Sequence, residues 1–184
     1  MGKLLRAVVD TETTGLKPGF NEVIELGVVF FDDNFTPNGL KFVTQIKPVW
    51  PCNFHPKARE ANGIDLDKIN DNLTPNIVRA NFLEWKNNLF GDAKIISLGH
   101  NYTFDKGFLE AFFTKDLYDE IFHYNFEDSM ILARALKQKG KLKTENCKLE
   151  TLAKYFGIPN ERAHSAYNDA IVTLQVYKNL IDLI

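Results

Sequence analysis

Leu4-Leu-Arg-Ala-Val-Val-Asp10-Thr-Glu12-Thr-Thr-Gly15-Leu16 decides the reading of this chain. Leu4–Asp10, a short apolar run with Val8 and Val9, reads as a strand, and the turn-prone residues 14–19 bound it. Side chains at i and i+2 share one face of a strand, so Asp10 and Glu12 point the same way near its carboxyl end. Open α/β sheets place ligands beyond the carboxyl ends of their strands. Two adjacent carboxylates repel unless a cation lies between them, and hard oxygen donors suit Mg²⁺ or Mn²⁺. Asp-x-Glu alone also occurs in solvated turns, so the pair needs company elsewhere in the chain.

Working outward, Glu22–Phe31 reads as a second strand, and Leu40–Ile46 alternates like a half-buried edge strand. The links are short, which favours antiparallel neighbours. Thr74-Pro75 resembles a helix start, followed by Ile77, Val78, Phe82, Trp85 and Leu89 at helical spacing. Lys94–Leu98 reads as a strand, and Phe104, Phe108 and Phe112 mark a helix face. A short strand is expected near residues 124–127. Helices are expected over Asp128–Lys139, Leu149–Phe156 and Ala166–Leu183. The order predicts a mixed α/β sheet with helices on both faces. No repeat or linker divides the 184 residues, so a single domain over 1–184 is expected.

Two further constellations fall where strands end or helices begin. His100-Asn101-Tyr102-Thr103-Phe104-Asp105 puts an acid on a first helical turn. Asn101 or Thr103 is expected to cap that helix, Phe104 to continue the aromatic stripe, and Tyr102 and Lys106 to lie on the surface. His164-Ser-Ala-Tyr-Asn-Asp169 spans five residues, which on one regular helix would turn the two ends apart. His164 therefore belongs in the preceding loop, with Ser165 as a cap. Four acids in one place call for about two divalent ions, the usual device for in-line phosphodiester cleavage. A histidine with pKa near 6.5 suits removal of a proton from water.

Together these segments resemble the DEDDh, or DnaQ-like, 3′–5′ exonucleases. Weaker matches lie at Asn62-Gly63-Ile64-Asp65, Asp128–Arg134 and Leu149–Ile158. The resemblance implies an RNase H-like fold with a five-stranded sheet. It implies metal binding by Asp10, Glu12, Asp105 and Asp169, with two Mg²⁺ or Mn²⁺ ions, and a general base at His164. It further assigns substrate contacts to Thr13, Thr14, Gly15 and Leu16, with Leu16 against the terminal base, and to Asn62, Ile64, His100, Asn101 and Phe104. Asn62 and Asp65 depart from the family's usual histidine and threonine.

Composition bounds the rest. Twenty-two basic and 24 acidic residues leave a net charge of −2, which by itself argues against nucleic acid. Six basic residues between Arg134 and Lys148 face Glu145 alone, a local +5 that leaves −7 on the remainder. That run reads either as a grip on a phosphate backbone or as a solvated helix end. No stretch approaches the length of a membrane span, the N-terminus does not read as a signal peptide, and Cys52 and Cys147 read as free thiols of a cytoplasmic protein. No Gly-rich nucleotide-binding motif occurs.

The expected activity is release of nucleoside 5′-monophosphates from single-stranded or frayed 3′ ends, DNA ahead of RNA. The chain ends with its last predicted helix, so a stand-alone nuclease, or one docking on a polymerase or repair partner by another surface, is expected. The alternatives are an exoribonuclease, a binding module that has lost catalysis, and a phosphoesterase for small nucleotides.

Overall fold

The computed structural model describes residues 4–63, 69–160 and 165–184. Strands β1 (Leu4–Thr13), β2 (Val23–Phe31), β3 (Pro37–Gln45), β4 (Lys94–Gly99) and β5 (Phe122–Asp128) form one sheet in the order β3-β2-β1-β4-β5. The β1–β2 and β2–β3 pairs are antiparallel, and β4 and β5 run parallel to β1. All nine residues of β2 are buried, as a strand covered on both faces requires. In β3 the alternation read from sequence holds: Phe42 and Thr44 are half-buried while Lys41, Val43 and Gln45 are exposed. Pro37 opens that strand at the sheet's edge, where a missing donor costs little.

Helices cover both faces. On one side α2 (Pro75–Phe90), α3 (Tyr102–Phe113) and α4 (Lys115–Ile121) pack on Ala7, Val9, Leu26, Val28 and Phe30. On the other, α7 (Ala166–Ile181) packs on Val8, Val29, Phe31 and Leu98 through Ala170, Leu174 and Tyr177. Outside α7, α5 (Ser129–Gln138) and α6 (Leu149–Phe156) add a second cluster around Ala133, Leu152 and Val176. A short α1 (Pro56–Asn62) follows a 3₁₀ turn at Pro51–Asn53.

Several expectations are corrected here. β1 runs three residues past Asp10, because Thr11, Glu12 and Thr13 pair with Leu26, Glu25 and Val23 of β2. Tyr102 is fully buried rather than on the surface: its hydroxyl donates to Ser97 Oγ (2.8 Å) and meets the Tyr118 hydroxyl (3.0 Å). Neither α1 nor α4 was anticipated. Among the described residues, no helix is long and apolar enough to cross a membrane.

Candidate active site

The faces of the sheet explain how the acids meet. Asp10 and Glu12 project on the side of Val8, toward α7, whose first turn carries Asp169. Oxygens of Asp10, Glu12 and Asp169 all lie within 4.8 Å of one another. Thr11 projects to the opposite side, where Asp105 stands on the first turn of α3. Both the backbone N–H and the hydroxyl of Thr11 donate to Asp105 Oδ1, at 2.9 and 2.7 Å. The β1–β2 register shifts directly after Glu12. Bulges of this kind re-aim side chains and recur beside active sites.

Electrostatics set these groups apart from surface acids. Burial, followed by repulsion from Asp105, Glu12, Asp169 and Glu25, pushes the Asp10 carboxyl well above the usual range. Glu12 is pushed up to about 8, first by burial and then by Asp169, Glu25 and Asp105, while a hydrogen bond from Asn62 pulls it down. Burial lifts Asp105 to about 7 against the two Thr11 hydrogen bonds. Carboxylates crowded and desolvated in this way favour a cation between them. The donor set is all oxygen and anionic, so the residues fit Mg²⁺ or Mn²⁺.

The turn after β1 is held from within. The Thr13 hydroxyl donates to Gly15 O (2.7 Å), and the Thr14 hydroxyl accepts from Glu22 N (2.9 Å). Asn21 ties Thr14 O and Asn53 O to Lys17 N. A Cβ on Gly15 would come within 2.5 Å of the Asn21 side chain, so the turn closes only on glycine. Leu16 stands 80% exposed beside a cleft of about 460 Å³ lined also by Lys17, Phe20, Asn53 and His55. Asn62 Nδ2 donates to Thr13 O (3.1 Å), which joins the end of α1 to the end of β1.

The remaining candidates are placed differently. His100 Nδ1 lies 2.8 Å from Ser129 Oγ, and Nε2 is buried without a partner. Burial lowers the ring's pKa to about 4. Asn101 occupies the cap position of α3 at φ 65°, yet its side chain caps nothing. Asp128 does that work instead. Its Oδ2 accepts from Tyr102 N (2.8 Å), and its Oδ1 accepts from Asn101, Met130 and Ile131 N. One carboxylate therefore caps both α3 and α5. Phe104 packs at the margin of the main core, against Phe108. Ser165 sits at the cap position of α7 but its hydroxyl donates to Glu25 (3.2 Å). Within the basic run, Lys137 donates to the carbonyls of Thr144 and Glu145, and Lys141 to that of Leu183. Ile64 and His164 lie outside the described residues.

Two residues beside the acids were missed in the sequence reading. Glu25 on β2 is the direct partner of Glu12 and is only 7% exposed. Gly27 pairs with Asp10. A signal for the first existed: Glu25 is the one charge in the run Val23–Phe31.

The sheet order and the carboxylate cluster at its centre define the RNase H-like class of α/β proteins. Residues 7–177 match the exonuclease family RNase_T, and the chain belongs to that family. It is 28% identical over 176 residues to the PolC-type DNA polymerase III of Thermotoga petrophila, covering 96% of this chain and 12% of that one. It is 32% identical over 116 residues to the 3′–5′ DNA exonuclease Cap18 of Escherichia coli, covering 62% and 59%. The fold matches E. coli exonuclease I in a single-stranded DNA complex, with TM-score 0.81 and 22% identity over 98% of this chain and 42% of that one. The chain thus spans less than two thirds of each of these relatives.

Proposed function

We propose that this chain is a divalent-metal-dependent 3′–5′ exonuclease that removes nucleoside 5′-monophosphates from single-stranded or frayed DNA ends. The observation that carries the proposal is the meeting of Asp10, Glu12 and Asp169 within 4.8 Å, with Asp105 fixed behind them by Thr11. Membership of the exonuclease family supports it, as do relatives named for 3′–5′ DNA exonuclease activity and for single-stranded DNA complexes.

Asp10, Glu12 and Asp169 would hold the cations, and Asp105 would complete the set through the oxygen that Thr11 leaves open. Two ions match the four carboxylates in charge. Bound there, Mg²⁺ or Mn²⁺ supplies a more acidic attacking water and stabilisation of charge on the phosphate. The chain does the positioning. The buried Thr13–Gly15 turn presents Leu16 to the cleft, where the terminal base packs against it. His164 takes the proton of the attacking water, a role suited to imidazole near neutral pH. Single-stranded DNA is the substrate this reading favours over RNA, and a polymerase or repair protein is the kind of partner it allows.

The test offers 5′-labelled single-stranded DNA, mismatched-end duplex DNA and short RNA with Mg²⁺ or Mn²⁺. A ladder shortening from the 3′ end of DNA is expected, and Asp105→Ala or Asp169→Ala should abolish it without unfolding the protein. His164→Ala should slow turnover by about 100-fold or more while metal binding persists. Undiminished cleavage by pure Asp105→Ala protein would overturn the site, and faster trimming of RNA would move the substrate to RNA.

A further inference from the structure

Glu25 has no place among the four acids of the motif, yet it lies against them. It faces Glu12 across β1 and β2, and like charges directly opposite on neighbouring strands destabilise a sheet. It is also nearly excluded from water. Something must offset both costs. Its Oε1 accepts from the backbone N–H of Ala166 (3.0 Å) and from the Ser165 hydroxyl (3.2 Å). These are the first residues of α7, where the helix end favours negative charge. The Ser165 carbonyl in turn accepts from Asp169 N (2.9 Å). A short chain of bonds therefore runs from β2 to the backbone of Asp169.

Gly27 supplies an independent observation at the same junction. A Cβ there would stand 2.8 Å from Ala166 O and 3.2 Å from Tyr167 N. All of these atoms are backbone of the Ala166–Tyr167 peptide, so none can swing away as a side-chain tip could. The bare strand beside Asp10 is what lets the start of α7 settle onto the sheet. Glu25 pulls that helix end in, and Gly27 leaves the room for it.

We propose that Glu25 is a positioning residue of the active site: by clamping the start of α7 onto β2, it sets where Asp169 stands relative to Asp10 and Glu12. The proposal rests on the active-site reading above. It concerns the hydrogen-bond acceptor of Glu25, not its charge, and that separates it from a fifth metal ligand.

Three variants test it with two measurements: Mn²⁺ affinity by calorimetric titration without DNA, and kcat and KM on 5′-labelled single-stranded DNA. Glu25→Ala removes the acceptor and should weaken Mn²⁺ binding and kcat by about 10- to 100-fold, as loss of a supporting shell does. KM for DNA should hold, since Leu16 and the cleft are untouched. Glu25→Gln keeps a carbonyl acceptor and should restore most of both losses. Gly27→Ala leaves every carboxylate in place and should reproduce the Glu25→Ala defect by pushing the helix end away. Circular dichroism reports folding. If Glu25→Ala fails to fold, Glu25→Gln and Gly27→Ala still decide. Wild-type behaviour of Gly27→Ala, or a Glu25→Gln as impaired as Glu25→Ala, would overturn the clamp. A wild-type protein without Asp105-dependent cleavage would sink the exonuclease reading, whereas the clamp would still be judged on Mn²⁺ affinity alone.

Discussion

Glu12 carries the most informative single pKa of the molecule. At about 8 it holds its proton through neutral pH when no cation is present. A metal ion must displace that proton, so apparent affinity rises with pH until about 8 and then levels. Titration of Mn²⁺ at pH 7 in buffers of different ionisation enthalpy should show protons released on binding. Glu12→Gln should bind more weakly and release fewer. A buffer-independent heat for the wild type would contradict the assignment. Asp105, at about 7, adds to the same trend over a lower range. Repulsion among acids, read from the spacing of Asp10 and Glu12 alone, was legible in the sequence. The contribution of Glu25 was not, because its partners Ser165 and Ala166 stand 140 and 141 residues further along.

At the scale of elements, Asp128 joins two helices and the end of a strand. The last residue of β5 accepts four backbone N–H groups, two from the start of α3 and two from the start of α5. Loss of one good cap costs about 1 kcal/mol, so Asp128→Ala, which removes two, should cost about 2 kcal/mol. Urea unfolding measures this directly, and a loss below the cost of a single cap would contradict the shared role. The helix expected over Asp128–Lys139 starts at the residue that caps α5, but the capping role itself was not read. The second helix of Asp128 was hidden: Asn101 sits nearer in sequence and looks like the natural cap for α3. Likewise Tyr102 reads as a surface residue until Ser97 and Tyr118 are seen to enclose its hydroxyl. The long periodic segments, such as Pro75–Phe90 and Tyr102–Phe113, were legible because their apolar spacing is local. The short α1 and α4 carry too few turns for a period to show.

For the whole molecule, the buried acids link stability to pH. Glu12 titrates at about 8 when folded, and free glutamate titrates near about 4.3. Between those values the folded state holds more protons than the unfolded state, so stability falls as pH rises. The contribution is complete below about 4.3 and lost on passing through about 8. Metal-free protein should therefore show a lower Tm at pH 8 than at pH 6, and Mg²⁺ or Mn²⁺ should raise Tm more at pH 8. Differential scanning fluorimetry with and without chelator checks both, and a metal-free Tm that rises over this range would refute the linkage. The net charge of −2 hides this arrangement: four of the acids behind it stand on the end of β1 and the first turns of α3 and α7.

β1 lies third of five strands, paired with β4 over Leu4–Val8 and with β2 over Ala7–Thr13, and its apolar stretch is covered on both faces. Segments in such a place open only with the whole fold, so its amides should be among the slowest to exchange with deuterium. Two of the acids that meet at the site thus follow directly on that doubly paired stretch and stay paired to β2. The vessel is shaped before anything enters it, and capture of a cation should be paced by the ion shedding its own water, not by the protein rearranging around it.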